Sequence, residues 1–335
     1  MRFRSCSILF TVLAGACENG SVVSFESGPI SRYVVNQLQV PTDNAQGRAY
    51  GLDLNGDGTV DNQLGSVMLT LSGMGFPIQE SNDAAVAEGT IILLVDLVGV
   101  SERRGVGAFG ELQLFFGTNP MPPACDPGET YTCTTSMPPV CTGCQHHLTG
   151  SGVFDIDSSS PQNAALVGVV SNDVFDAGPG TFAVELALAD TQPIRLDLVG
   201  GRARVALDAS GSPTGAMTLA GAITQNDLVN EFLPALQRAL IPIIQRDCCG
   251  APTSPGGAIC NPNPTGPKAN CGCLDGSTGK TLLGLFDTNP KDCTVSVQEI
   301  QANSLIESLL APDITIGGQM ALSLGVQASV VSATF

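Results

Sequence analysis

The 335-residue chain predicts a mainly β fold with helical segments (α+β): an antiparallel meander or sandwich core with an EF-hand-like helix pair near the C-terminus. Three observations predict it. Short runs rich in Val, Ile, Leu and Thr recur between Gly, Pro and Asn turn signals, the pattern of strands. Charged residues make up only 13% of the chain against 39 Gly and 22 Pro, which suits strands and turns clothed in Ser, Thr and Asn better than charged helices. The hydrophobic fraction of 43% supplies an ample core and argues against disorder.

The elements follow in order. Met1-Arg2-Phe3-Arg4 is basic, Ile8 to Leu13 is apolar, and Ala14-Gly15-Ala16 precedes Cys17. Residues 1–16 thus predict a bacterial lipoprotein signal, with Cys17 lipidated and 17–30 a linker. The remainder, 31–335, predicts one β-rich domain, exported and held at the outer membrane or cell surface by lipid, or secreted. A strand is expected over 33–40, then a calcium loop over 53–64. A helix over 62–73 carries Leu64, Val67, Met68 and Leu71 on one face. Strands over 90–98 and 111–116 flank a Cys-rich insert at 118–147.

From 152 to 223 the pattern reads as an antiparallel meander. Strands over 181–188, 193–199, 202–208 and 215–223 are expected, with Gly200-Gly201 as a two-residue hairpin turn. A helical segment at 226–246 places Leu228, Phe232, Leu236, Leu240 and Ile244 in steps of four, and Pro234 and Pro242 should break or kink it. A Cys-rich segment at 247–275 precedes the EF-hand-like segment at 280–311. An alternating strand over 320–335 ends the chain. Its terminal Phe335 is a feature of outer-membrane barrels, but Gln327 and Ser329 interrupt any lipid-facing stripe, so a solvated sheet is expected.

The sharpest chemical signal is Asp53-Leu-Asn55-Gly-Asp57-Gly58-Thr59-Val60-Asp61. In a calcium loop, side chains at positions 1, 3 and 5 and a carbonyl at 7 converge on the ion, with Gly at 6 for the sharp turn. Asp53, Asn55, Asp57, the Thr59 carbonyl and Asp61 fill the ligand positions, and Val60 is expected to tie the loop to the core. Position 12, normally a bidentate Glu, is Leu64. Weak calcium binding is therefore expected, in the range of about 10⁻⁴–10⁻³ M.

A second candidate spans Leu282 to Ile300. Asp287, Asn289, Asp292 and Glu299 occupy ligand-like places, with one extra residue before Asp292 and Cys293 at the turn position. A degenerate EF-hand, with its helices kept and its ion lost, fits the same residues. Both loops resemble dockerin-type repeats, but they are not adjacent, so no dockerin module is expected.

Beyond Cys17, the cysteines fall into two even groups. Cys125, Cys133, Cys141 and Cys144 form one, and Cys248, Cys249, Cys260, Cys271, Cys273 and Cys293 the other. Even groups in loop-rich segments of an exported chain predict disulfides, with the pairing left open. Cys248 and Cys249 should take different partners, and Cys293 suggests a covalent staple where an ion sits elsewhere. Cys141 and Cys144 with His146 and His147 offer zinc donors, but their spacing fits no zinc motif, and disulfides with exposed histidines are the preferred reading.

Loss of two arginines with the leader takes the net charge from −17 to −19. Such a surface repels nucleic acid and anionic membranes and attracts cations. Contact with a membrane is expected only through the N-terminal lipid. Enzyme signatures fail: Gly105-Val-Gly107-Ala-Phe-Gly110 runs into strand-like residues, and Gly279-Lys280-Thr281 lacks the first Gly of a P-loop. The two histidines are neighbours, which disfavours a nucleophilic triad. Asp155, Asp157, Glu185, Asp197 and Asp208 leave a glycosidase-like carboxylate pair open, although no Trp is present to stack a sugar.

The loop before a helix, the β-rich middle, the EF-hand-like segment and the Leu322-Ser-Leu-Gly-Val326 strand resemble a group of uncharacterised bacterial exported lipoproteins. That resemblance implies calcium at Asp53–Asp61 and at Asp287–Glu299, and no particular activity. The expected function is a calcium-stabilised surface lipoprotein, monomeric, acting as a structural or adhesive module toward a surface ligand or protein. The alternative is a secreted hydrolase with structural calcium.

Overall fold

The computed structural model describes residues 28–100, 108–134, 140–161, 164–189, 193–248, 271, 273, 275–288 and 291–335. The leader, Cys17, Cys249, Cys260, Asn289 and most of the second Cys-rich segment lie outside the described residues.

Among the described residues there are twelve strands: β1 (Ile30–Gln39), β2 (Leu93–Val98), β3 (Ala108–Met121), β4 (Thr132–Cys133), β5 (Cys141–Thr142), β6 (Gly152–Ile156), β7 (Ala165–Ser171), β8 (Val174–Leu186), β9 (Ile194–Ala206), β10 (Met217–Thr224), β11 (Ile314–Ile316) and β12 (Gln319–Thr334). The helices are α1 (Asn44–Ala49), α2 (Gln63–Gly73), α3 (Ile78–Ala87), α4 (Gln225–Asp227), α5 (Leu233–Cys248), α6 (Thr278–Phe286), α7 (Val297–Gln301) and α8 (Ser304–Leu309). A π-turn (Leu228–Phe232) joins α4 to α5.

Eight strands close into an antiparallel barrel in the order β1-β2-β3-β7-β8-β9-β10-β12, with β12 returning to β1. The sandwich and the EF-hand helix pair expected from sequence are thereby corrected, while the mainly β character stands. The closing contacts join Val34 to Val331 and Leu112 to Leu166. A ring of eight strands has an interior that side chains can fill. Here Leu112, Leu114, Leu166, Phe175, Val184, Leu196, Leu219 and Leu324 fill it, and the same apolar core continues into α2, α3 and α5. Asp176, Asp197 and Arg204 are exposed on the outer face of β8 and β9, where a lipid-facing wall would incur a large desolvation cost.

β6 pairs with the end of β3 and with the end of β12, making a smaller ring of β1, β2, β3, β6 and β12 on the outside of the first. It encloses a second core of Val34, Ile92, Leu94 and Phe154, with Phe115 and Phe335 packed against it. β2 therefore faces apolar surroundings on both sides, which explains why Leu93-Leu-Val-Asp-Leu-Val98 is buried along its whole length.

Two sequence expectations change here. Gly200-Gly201 is not a hairpin turn but lies inside the 13-residue β9, opposite a register shift in β8 near Gly180. Gly200 has φ +61°, and a Cβ on Gly201 would meet the Phe182 ring at 2.5 Å, so the pair marks a bulge where backbone and ring approach closely. The helical track at 225–248 also survives its prolines. The π-turn precedes Pro234, Pro242 sits inside α5, and Leu228, Phe232, Leu236, Leu240 and Ile244 are all buried as their spacing predicts.

Candidate metal centre

The first loop lies between α1 and α2, against the outside of the barrel wall. Leu52 and Asp61 form an antiparallel bridge at its foot, with Asp61 N donating to the Leu52 carbonyl at 3.0 Å. Leu52 and Leu54 pack on the outer face of β10 and β12, against Ala220, Ala222 and Ala321. These leucines anchor the loop; Val60, expected to do so, is 52% exposed.

Within the loop, main-chain amides hold the acids in place. Asp53 accepts from Gly56 N at 2.6 Å and from Gly58 N at 2.9 Å, one on each carboxylate oxygen. Asp57 N donates to Asn55 Oδ1 at 2.9 Å, and Thr59 N donates to Asp57 Oδ1 at 2.8 Å. Gly56 and Gly58 have φ of +82° and +86°, a backbone that side chains resist. At the foot, Leu54 N donates to Asp61 Oδ2 at 2.8 Å.

The electrostatics follow from position. Hydrogen bonds from the Thr59 hydroxyl and amide hold the exposed Asp57 below the usual carboxylate range. Burial pushes Asp61 up, against the Leu54 amide, and the charges of Asp313, Asp57 and Asp53 push it further. Three carboxylates thus act on Asp61 at the loop foot. Hard oxygen donors from Asp53, Asn55, Asp57, Thr59 and Asp61 fit calcium in kind. Leu64 is fully buried in the core and adds no donor. The three loop acids do not lie together as a triad within 4.8 Å, unlike two other clusters, Cys271/Asp287/Cys293 and Asp126/Glu129/His146.

The second loop repeats the turn of the first. Asp57-Gly-Thr-Val60 and Asp292-Cys-Thr-Val295 match: Thr294 N donates to Asp292 Oδ1 at 3.0 Å, as Thr59 does to Asp57. Cys293 stands at the glycine position with φ +66° and donates its N–H to Asp287 Oδ2 at 3.0 Å. Its sulfur is bonded to Cys271, so that cluster offers no thiolate. Glu299 is engaged as well. It caps α7 through Ser296 and accepts from Thr288 N at 3.0 Å. No EF-hand pair surrounds this loop, because α7 has only five residues and both α6 and α7 pack on α5.

The cysteines pair as Cys125–Cys144, Cys133–Cys141, Cys248–Cys273 and Cys271–Cys293. Of the two histidines, expected to be exposed, His146 is partly so, and His147 is fully buried against Phe154. Burial, with some help from His146 and against a hydrogen bond with the Val86 backbone, lowers His147 to about 4.

Among the acids of the β region, Asp197 pairs with Arg195 at 2.9 Å, Asp208 accepts from Ser210 and Ser212, and Asp155 accepts from Asn119 at 3.0 Å. Glu185 is raised to about 6 by burial against the pull of Arg195. A cleft of about 470 Å³ lies beside the calcium-type loop, lined by Asp53, Gly56, Val60, Asp176, Arg202 and Arg204. Arg204 pairs with Asp176 at 2.7 Å, whereas Arg202 Nε is buried without a hydrogen-bond partner. Comparison of the chain with protein-family models, curated proteins and solved structures returns no match.

Proposed function

We propose that the protein is a calcium-binding exported lipoprotein serving as a structural or adhesive module at the cell surface. The observation that carries the reading is the Asp53–Asp61 loop, whose amides and two left-handed glycines hold oxygen donors in the order a calcium loop requires. Calcium would be held by Asp53, Asn55, Asp57, the Thr59 carbonyl and Asp61. Its role is to offset the mutual repulsion of the loop acids and so fix the loop on the β10–β12 wall.

Four disulfides among the described residues support an oxidising compartment. The reading seats a surface ligand or protein in the cleft beside the loop, lined by Asp53, Asp176, Arg202 and Arg204. Calorimetric titration with calcium tests it. One site with a Kd of about 10⁻⁴–10⁻³ M, abolished by Asp53→Ala with Asp57→Ala, is expected. Absence of heat, or heat unchanged in the double variant, contradicts the reading.

A further inference from the structure

We infer that Asp126, Glu129 and His146 form a binding site for a zinc-class divalent transition cation, separate from the calcium loop. One donor atom from each side chain lies within 4.8 Å of the others. His146 Nε2 is 2.9 Å from Glu129 Oε2. Donors around a tetrahedral zinc are about 3.3 Å apart, so the site closes with a shift of at most about 1.5 Å at Asp126.

The backbone builds the site before any ion arrives. Residues 126–129 form a turn in which Glu129 N donates to the Asp126 carbonyl and Asp126 N donates to Glu129 Oε2, both at 2.9 Å. The Cys125–Cys144 disulfide ties the residue before Asp126 to the residue two before His146. His146 N donates to the Ala124 carbonyl at 3.2 Å, a second tie between the same segments. Cys144 and Gln145 both adopt left-handed backbone, at φ +54° and +65°, and this reversal swings the imidazole over the turn.

A surface ion pair of His146 with Glu129 needs no third acid. Asp126 brings a second carboxylate against the first and accepts no hydrogen bond from the described residues. A divalent cation placed between the two carboxylates is attracted by both charges. The imidazole sets the class of ion, because nitrogen donors favour zinc, nickel and copper over calcium and magnesium. The metal takes the place of the proton now shared by His146 Nε2 and Glu129. Three protein donors leave a coordination position for water, and the partial exposure of His146 and Glu129 gives the ion a path from solvent.

The test is titration of the tag-free, disulfide-intact chain with Co²⁺ in about 1 mM calcium, read by visible absorption, followed by displacement with Zn²⁺. One equivalent of cobalt is expected to give a visible band that zinc abolishes. His146→Ala and the milder Asp126→Asn should each weaken binding tenfold or more, while Asp53→Ala with Asp57→Ala leaves it unchanged. Circular dichroism confirms that each variant is folded. No cobalt bound at about 100 μM, or binding that the His146 and Asp126 variants retain, overturns the assignment.

Discussion

The side chain of Asn62 pairs with the backbone of Gly325 as a strand would: Oδ1 accepts from Gly325 N at 2.8 Å, and Nδ2 donates to the Gly325 carbonyl at 3.2 Å. β1 pairs with β12 only up to Gln39 opposite Gln327, so Asn62 takes over the ladder two residues further along. The same Oδ1 caps α2 through Gly65 N at 3.1 Å, and Nδ2 also reaches the Gly47 carbonyl at 2.9 Å. One amide thereby joins the foot of the Asp53–Asp61 loop, the start of α2 and the barrel wall.

Asn62→Ala should destabilise the chain by about 2–4 kcal/mol, since it removes a cap and leaves buried main-chain groups unpaired. Asn62→Asp keeps the cap acceptor but loses both donated bonds, and should fall between. Urea unfolding monitored by circular dichroism measures the order wild type, Asp, Ala.

Gly325 is constrained from its other side. A Cβ there would lie 2.2 Å from the Tyr50 carbonyl oxygen and 2.8 Å from Gly51 Cα, both backbone atoms that cannot rotate aside. Gly325→Ala should cost more than about 3 kcal/mol or prevent folding, measured in the same denaturation assay.

This junction also marks the limit of what could be read from sequence. Local patterns were legible: the helix after the first loop starts within one residue of its expected position, and the four-step apolar residues of 226–246 are buried as expected. Barrel closure was not, because β1–β12 and β3–β7 pairing joins strands far apart in sequence, and alternation within a strand does not name its neighbour. Gly200-Gly201 misled for a related reason, since a bulge and a hairpin turn call for the same residues. The oxygen-rich loop announced itself by spacing, whereas Asp126, Glu129 and His146 become neighbours through a disulfide whose pairing the sequence left open.

Cys293 stands at a glycine position and its disulfide with Cys271 crosses that turn. Removing the bond should cost about 2–5 kcal/mol. Cys271→Ser with Cys293→Gly should be less destabilised than Cys271→Ser with Cys293→Ser, by about 1 kcal/mol, because glycine accepts the left-handed backbone. Thermal melts of the two double variants at equal pH decide the order.

His147 sets an acid limit. Its pKa falls to about 4 in the folded chain against 6.5 when exposed. The unfolded chain therefore binds a proton first as pH drops, and stability present above pH 6.5 is lost between about 6.5 and 4. His147→Leu should remove roughly 2–3 kcal/mol of that loss, seen by comparing urea midpoints at pH 7 and pH 4.5.

Glu185 acts in the opposite sense. Its folded pKa of about 6 exceeds the usual 4.5, so the folded chain holds the proton more tightly and stability from this group declines as pH rises from about 4.5 to 6. Glu185→Gln should raise Tm at pH 7.5 and leave it near wild type at pH 4, which scanning calorimetry at the two pH values measures.

The central claim is that an ion at Asp53–Asp61 holds the loop on the barrel, and thermal unfolding with calcium or with EDTA addresses it most directly. With the disulfides intact, about 10 mM calcium should raise Tm by roughly 2–6 °C over EDTA, and Asp53→Ala with Asp57→Ala should lose the rise. An equal Tm in calcium and EDTA would reduce the loop to an acidic turn, held on β10 and β12 by Leu52 and Leu54 alone.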